Sequence, residues 1–204
     1  PSRSHSRIGL AMPRRCAKKM RILISGGPGS GCTSTAKLIG AELDLPVFDS
    51  DTYFHKPTDP PFQEQYSPAE RRQLIAGDLD ASSDWILSGS IATWAVDLPT
   101  IHFGVFLDTS NEERLRRLGL RERERFGSRI DVGGDLHAEN KDFMEWAVRY
   151  EDRSGTGRNK ATDRAFLVRQ CDYFVEISHS LSLAEIASEI RDFLANPRGT
   201  SRTS

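Results

Sequence analysis

The chain has 204 residues, of which 37% are hydrophobic, 28% charged and 8% aromatic, and its formal net charge is -1. These values are typical of one soluble globular domain and exclude a fibre, a disulfide-rich mini-protein and a disordered tail. The apolar runs fall far short of the roughly 20 residues that a membrane-spanning helix needs, so the sequence predicts no membrane span.

Positive charge is concentrated at one end of the chain. Seven of the 28 Lys and Arg residues lie within residues 1–21, where no acidic residue occurs, so the remainder is acidic. An acidic body argues against nucleic-acid binding, because proteins that bind nucleic acid usually present a basic face. A local positive pocket for a small anionic ligand remains compatible with this balance.

Residues 1–20 form a basic leader that we expect to be flexible. A transit peptide, a nucleic-acid-binding arm and a start sequence foreign to the domain are the alternatives for it, and the last is favoured. Residues 196–204 are predicted to be a flexible tail. The three cysteines, Cys16, Cys32 and Cys171, are widely scattered, which predicts a reduced, cytoplasmic protein.

Strand and helix patterns alternate along residues 21–195. Strands are predicted over 21–25, 46–49, 85–88, 101–107 and 173–177, and helices over 33–43, 68–80, 111–125, 141–152, 161–170 and 183–194. Ser67 and Glu70 predict a capping box at the start of the second helix, after a long loop over 50–67. The alternation predicts a three-layer α/β domain with a parallel sheet of about five strands and helices on both faces.

The segment that follows the first strand has the pattern of a phosphate-binding loop. The residues predicted to bind nucleotide are Gly26, Gly27, Gly29, Ser30, Gly31, Cys32, Thr33 and Ser34. Glycines allow successive N–H groups to face a phosphate, and the following helix N-terminus adds partial positive charge. Thr33 is placed to offer its hydroxyl to Mg²⁺. A glycine-rich turn without a ligand is the alternative.

Cys32 stands where such loops normally carry a lysine. Another cation must then replace the lysine, or transfer should be weak. A cysteine in the first turn of a helix has its thiolate favoured by the helix dipole, so one hypothesis is a redox-sensitive nucleotide site. The favoured alternative is a small neutral side chain that is tolerated because an arginine supplies the charge.

Asp49 and Asp51 flank Ser50 at the carboxyl end of the second predicted strand, where ligands of open α/β sheets bind. We predict that Asp49 serves the metal and the substrate and that Asp51 serves the substrate and catalysis. Aspartates that merely cap the loop are the alternative. The pair resembles the one found near the acceptor in shikimate and gluconate kinases.

The loop GGPGSGCTS resembles the GGPGSGKGT loop of the nucleoside monophosphate kinases, the adenylate and cytidylate kinase group. The segment WILSGSIAT, over 85–93, is similar to the strand that precedes the monophosphate site of that family, which implies a substrate role for Gly89. The segment VFLDTSNEERLRRLGLRERER resembles the entry to the family's lid. Cys32 and Ser88 depart from the family pattern.

Arginines are abundant in and after this last segment, and a mobile lid over about 119–158 is predicted. Arg121, Arg149 and Arg158 are predicted to contact phosphate, because the planar guanidinium binds phosphate oxygens bidentately. An ordinary solvated helix face explains part of this charge. Aromatic residues at helical spacing, Phe143, Trp146 and Tyr150, are expected to be core.

These patterns together predict an enzyme that transfers the γ-phosphoryl group of ATP, or another nucleoside triphosphate, with Mg²⁺. The acceptor is a nucleoside monophosphate or another small molecule. A catalytically weak nucleotide-binding sensor of the same fold is the alternative. The patterns do not predict the nucleobase preference or the oligomeric state.

Overall fold

The computed structural model describes residues 19–59, 61–151, 157–178 and 181–198. Residues 1–18 of the predicted leader and 199–204 of the predicted tail lie outside the described residues. No helix in the described part of the chain has the length and apolar composition needed to cross a bilayer.

All five predicted strands and all six predicted helices are present, and the described residues add a short α-helix over Ser50–Phe54 and a 3-10 helix over Gly127–Ile130. The strands are β1 (Arg21–Gly26), β2 (Val47–Asp49), β3 (Trp85–Ser88), β4 (Ile101–Asp108) and β5 (Cys171–Ser178). The helices are α1 (Cys32–Leu43), α2 (Ser50–Phe54), α3 (Pro68–Ala81), α4 (Asn111–Phe126), α5 (His137–Val148), α6 (Lys160–Gln170) and α7 (Leu183–Ala195).

The strands form one parallel sheet in the order β2-β3-β1-β4-β5, which confirms the predicted α/β architecture. β1 is central: Ile22 pairs with Ile86 of β3 on one side and with Phe103 of β4 on the other. The chain moves from β1 outward to β2 and later crosses to β4. This reversal beside β1 opens a crevice at the carboxyl ends of the strands, where ligands of such sheets bind.

A hydrophobic core covers each face of the sheet. Ile22 and Ile24 of β1 are buried in one core with residues of α1 and α7, whereas Leu23 between them is buried in the other core. This alternation follows from the strand geometry, because successive side chains point to opposite faces. Helices therefore hold both faces of β1 and fix the position of the loop that follows it.

The predicted loop over 50–67 is more ordered than its composition suggests. The Asp49 carboxylate accepts a hydrogen bond from the Asp51 N–H at 3.0 Å and caps the short helix α2. The predicted capping box of α3 is confirmed, since the Ser67 N–H donates to Glu70 at 2.7 Å and the Glu70 N–H donates to Ser67 at 3.3 Å. Side-chain capping explains both helix starts.

Candidate active site

A cleft of about 1230 Å³ lies at the carboxyl ends of the central strands. The loop after β1 and the two aspartates after β2 form part of its wall. The remaining walls come from the segment after α2, the residues after β3, and arginines and aromatic residues of α4 and α5. The cleft therefore collects in one place most of the residues that the sequence predicts to be functional.

Backbone geometry explains the glycines of the predicted phosphate loop. Gly29 and Gly31 have φ angles of 84° and 93°, which L side chains rarely adopt. A Cβ atom on Gly29 would lie 2.5 Å from the carbonyl oxygen of Arg114, so this position has no room for a side chain. The Ser30 N–H donates to the Gly27 carbonyl at 3.0 Å, which keeps the loop tight.

The Arg114 side chain of α4 supports the phosphate loop. Its side chain is buried, and it donates to the Pro28 carbonyl at 2.9 Å and to Asn111 at 2.7 Å. The Tyr150 ring lies 4.9 Å from the guanidinium. Desolvation lowers the pKa of Arg114 from its usual value. This arginine of α4 holds the loop in shape and is not among the residues that line the cleft in the described chain.

Cys32 is buried at the start of α1, and its sulfur lies 3.2 Å from the Ser30 hydroxyl. Burial raises the pKa of the Cys32 thiol to about 11, and the Ser30 hydrogen bond and the charge of Arg158 only partly counter this rise. Burial of the thiol therefore favours the alternative of a small neutral side chain over the hypothesis of a helix-activated thiolate. Cys32 is a small neutral side chain in the phosphate loop.

We expect Cys32 to resist alkylation in the native protein. A thiol with a pKa of about 11 is ionised in only about one molecule in ten thousand at neutral pH. Iodoacetamide labelling at pH 7, followed by peptide mass spectrometry, should leave Cys32 unmodified until the chain is denatured. The labelling rate should rise with pH up to about 11. Rapid native labelling of Cys32 at pH 7 would restore the redox hypothesis.

Arg158 places a cation at the start of the glycine-rich loop. Its Nη2 atom donates to the Gly26 carbonyl at 3.0 Å, and its Nε atom donates to Asp163 at 3.2 Å. Only 25% of its side chain is exposed, and it lines the cleft. Burial opposes the charge of Arg158 most strongly, but Asp163, Tyr150 and Asp51 together outweigh it and raise the pKa of Arg158.

Asp163 organises this corner of the cleft and was missed by the sequence prediction. Its buried carboxylate also accepts hydrogen bonds from the Ser90 hydroxyl at 2.5 Å and the Tyr150 hydroxyl at 2.8 Å. Burial, followed by the charge of Asp163, raises the pKa of Tyr150, so this hydroxyl stays protonated and donates. The buried Asp163 carboxylate of α6 thus holds Arg158 and links it to one residue after β3, Ser90, and one residue after α5, Tyr150.

Asp49 and Asp51 differ in their surroundings. Both Asp49 oxygens are engaged, since one accepts from the Thr33 hydroxyl at 2.8 Å and the other accepts from the Asp51 N–H at 3.0 Å. In the described part of the chain, no hydrogen bond or ion pair reaches the Asp51 carboxylate. Desolvation in the cleft and the adjacent Asp49 charge raise the pKa of Asp51.

Thr33 and Asp49 fit the donor set that Mg²⁺ prefers, a hydroxyl beside a carboxylate. No cluster of three or more His, Cys, Asp or Glu side chains suited to a metal occurs among the residues described. Mg²⁺ usually keeps several waters and binds phosphates alongside one or two protein carboxylates.

Gly89 follows β3 and contacts the residue between the two aspartates. Its φ angle is 98°, and a Cβ atom there would collide with the Ser50 hydroxyl. The Gly89 N–H donates to the Ile24 carbonyl at 3.0 Å. This glycine therefore lets the ends of β2 and β3 approach, and it lines the cleft. Its predicted contact with substrate remains a prediction.

Three arginines of α4 line the cleft: Arg117, Arg121 and Arg125. Each is paired with a glutamate, Arg117 with Glu113 at 2.7 Å and the other two with Glu122 at 2.8 Å and 3.7 Å. The sequence prediction chose Arg121 and missed the other two, although a spacing of four residues places all three on one helix face.

Arg149 is not among the residues that line the cleft in the described chain. Its side chain is 69% exposed and lies 4.0 Å from Glu145. The expected core stripe of α5 is also divided. Tyr150 is buried, whereas Phe143 and Trp146 are half-buried and line the cleft, with Arg121 5.9 Å and Arg158 5.8 Å from their ring centroids.

No protein-family profile matches the chain. An uncharacterized protein of Bacillus subtilis, YqaC, is 28% identical over 179 residues, which cover 87% of this chain and 99% of that protein. A cytidylate kinase of Pyrobaculum islandicum is 30% identical over 115 residues. That match covers 52% of this chain and 62% of the kinase.

Two solved structures resemble the fold. A sugar kinase from Janibacter has a TM-score of 0.51 at 14% identity, covering 91% of this chain and 100% of that one. A shikimate kinase from Acinetobacter baumannii, in complex with shikimate, has a TM-score of 0.50 at 14% identity, covering 89% and 96% of the two chains. The chain therefore has the α/β fold of these two kinases, and about half of it is similar in sequence to a cytidylate kinase.

Proposed function

We propose that this chain is a nucleotide-dependent phosphotransferase. It transfers the γ-phosphoryl group of ATP, or another nucleoside triphosphate, to a nucleoside monophosphate or another small acceptor. The observation that carries the proposal is the position of Arg158, whose half-buried side chain donates to the carbonyl at the start of the phosphate loop. A loop that lacks its lysine thereby keeps a cation for the phosphates.

The residues of the cleft divide the work of transfer. The loop N–H groups from Gly27 to Thr33 bind the donor phosphates, as anions bind at helix N-termini. Thr33 and Asp49 would hold Mg²⁺, which supplies charge neutralisation when bound. Arg158 and Arg121 stabilise the charge of the phosphoryl group in flight. Asp51 faces the acceptor with its oxygens unengaged, and the catalytic power is mainly positioning and electrostatics.

The first test measures binding and transfer separately. Thermal unfolding would be followed with ATP or GTP, with and without Mg²⁺, and then with AMP, CMP, UMP, shikimate or gluconate added. A ligand that binds only the native state raises its apparent stability. We expect an Mg²⁺-dependent rise with a triphosphate, a further rise with one acceptor, and transfer to that acceptor. No rise with any triphosphate would contradict the proposal.

A catalytically weak nucleotide sensor is the second candidate function, and Cys32 is the observation that favours it. The neutral thiol supplies no charge at the position of the usual lysine. The sensor binds the triphosphate as tightly as an enzyme does, but its transfer and hydrolysis stay near background with every acceptor. A rate of transfer from the bound triphosphate that is orders of magnitude above the background rate would favour the enzyme over the sensor.

Arg121 and Arg149 provide a matched comparison within this proposal. Replacing Arg121 with alanine should lower kcat/KM about tenfold to a hundredfold, because a charge-assisted contact contributes roughly 1.5 to 3 kcal/mol. Replacing Arg149, which lies outside the cleft lining, should change kcat/KM less than about threefold. Steady-state kinetics of both variants checks this. A larger fall in kcat/KM for Arg149→Ala than for Arg121→Ala would support the phosphate contact that the sequence predicts for Arg149.

A further inference from the structure

Four aromatic residues line the cleft near α2 and the segments that follow α2 and β3, and we call them the aromatic wall: Phe54, Phe62, Tyr66 and Trp94. The chain after α2 folds back on itself to place two of them. The Tyr66 N–H donates to the Phe54 carbonyl at 3.0 Å, and His55 bridges to Gln65 in antiparallel register. These bonds bring Phe54 and Tyr66 together although eleven residues separate them.

Arg71 of α3 holds this wall from outside the cleft. Its guanidinium lies 4.1 Å from the centroid of Phe54 and 5.5 Å from that of Trp94. It also donates to the Tyr66 carbonyl at 2.8 Å. Arg71 is not among the residues that line the cleft in the described chain, and its guanidinium contacts two of the rings, Phe54 and Trp94. Trp94 is only 9% exposed, so the half-buried Phe54 and Tyr66 offer more ring surface to a ligand than Trp94 does.

Phe62 completes the wall from the opposite side. It has a φ angle of 71°, a conformation that is strained for a bulky residue, and its side chain is 40% exposed. Its ring contacts His55, with centroids 4.9 Å apart, and the Arg125 guanidinium lies 4.9 Å from its centroid. Phe62 thus joins the wall to the arginine face of α4, close to where a transferred phosphoryl group must lie.

We propose that the acceptor is a hydroxyl compound with a flat aromatic ring, which binds its ring against the aromatic wall and its hydroxyl at Asp51. Nucleosides belong to this class, because they join a flat base to a sugar that carries hydroxyl groups. The inference rests on the proposed function and narrows its substrate. An aromatic acceptor that stacks on the wall excludes water from the apolar ring faces, whereas a polyol would leave those faces hydrated. A monophosphate acceptor would bring two more negative charges beside Asp49 and Asp51.

The transfer step is balanced with Asp51 as the proton acceptor. The acceptor oxygen forms a bond to the γ-phosphorus while the bond from that phosphorus to the β,γ-bridging oxygen breaks. The electron pair of the broken bond leaves with the nucleoside diphosphate. The hydroxyl proton passes to the free carboxylate oxygen of Asp51 and then to solvent. Phosphate oxygens carry no proton that must be removed in this way, so they do not need this carboxylate.

The test uses the full chain and measures acceptor binding apart from donor binding. Adenosine, cytidine and uridine, their 5′-monophosphates, shikimate and gluconate are titrated while tryptophan fluorescence is followed. The Trp94→Phe variant identifies the part of the signal that comes from Trp94. Transfer from Mg-ATP to each compound is measured in parallel. We expect at least one nucleoside to quench Trp94 and to be phosphorylated, with a lower KM than its monophosphate, shikimate or gluconate.

Variants at Tyr66 separate the ring from the rest of the side chain. Tyr66→Leu should raise the acceptor KM about tenfold and leave the KM for Mg-ATP unchanged, because ring stacking is lost only for the acceptor. Tyr66→Phe, which keeps the ring, should restore the wild-type KM. Thermal unfolding of both variants verifies that they fold. A purely structural role would change both KM values or neither.

Three outcomes would overturn the inference. They are preferred phosphorylation of a monophosphate, preferred phosphorylation of shikimate or gluconate with no effect of Tyr66→Leu, and Mg-ATP binding without a response to any nucleoside. The proposed function survives each of these. Failure of the proposed function looks different, because Mg-ATP then neither stabilises the chain nor turns over; nucleoside quenching under those conditions supports the ring site and rejects the transfer step.

Discussion

Replacing Arg158 with alanine is expected to lower the rate of phosphoryl transfer about a thousandfold. Arg158 is the half-buried cation that reaches the phosphate loop, through its 3.0 Å bond to the Gly26 carbonyl, and Cys32 contributes no charge of its own. An arginine that stabilises the transferring phosphoryl group contributes about 10³ to 10⁵ in rate in related chemistry. The measurement is kcat at saturating Mg-ATP and acceptor.

Two controls make this result interpretable. Arg191→Ala is the matched substitution, since Arg191 is 46% exposed and pairs with Glu42 at 2.8 Å between α7 and α1, and it should leave kcat unchanged. Arg158→Lys keeps a charge but loses the forked geometry, so part of the rate should return. Removing Arg158 leaves the Asp163 carboxylate with fewer partners, so Tm is measured as well. A folded Arg158→Ala protein with kcat within about threefold of wild type would refute the role of Arg158.

Replacing Asp51 with asparagine should lower kcat by about 10² to 10⁴, the usual contribution of a positioned general base. Asp51 lines the cleft, and its carboxylate has no hydrogen bond or ion pair from the described residues, whereas Asp49 is held by Thr33 and by the Asp51 N–H. Asparagine has nearly the same shape but cannot take the hydroxyl proton. Single-turnover measurements at saturating substrates check the chemical step directly.

The binding of the donor distinguishes the two aspartates. Asp51→Asn should leave the Mg²⁺-dependent stabilisation by ATP unchanged, whereas Asp49→Asn should weaken it, because Asp49 lies beside the Thr33 hydroxyl. Asp80→Asn, at an exposed position of α3, is the matched control and should change neither quantity. Full activity of a folded Asp51→Asn protein would show that the proton leaves by another route.

Local signals were enough to predict most of the secondary structure. The strand β1 is a short apolar run, and Ser67 with Glu70 forms the predicted capping box, because both depend on neighbouring residues alone. The phosphate loop was also readable, since its glycines are required by the backbone itself. Arg117 and Arg125 each lie four residues from Arg121 on α4. This spacing is also a local signal, but the sequence prediction did not use it.

The tertiary structure determined the contacts between residues that lie far apart in the sequence, which no local pattern encodes. The bond from Arg158 to Gly26 joins residues 132 apart, and the bond from Ser90 to Asp163 joins residues 73 apart. No periodicity records such contacts, which arise when parallel strands bring their ends together. The same holds for the Cys32 thiol, since its raised pKa depends on burial by distant residues. The sequence by itself determined the fold class, the glycine-rich loop and the absence of its lysine; only the fold brought the Arg158 guanidinium to the start of that loop.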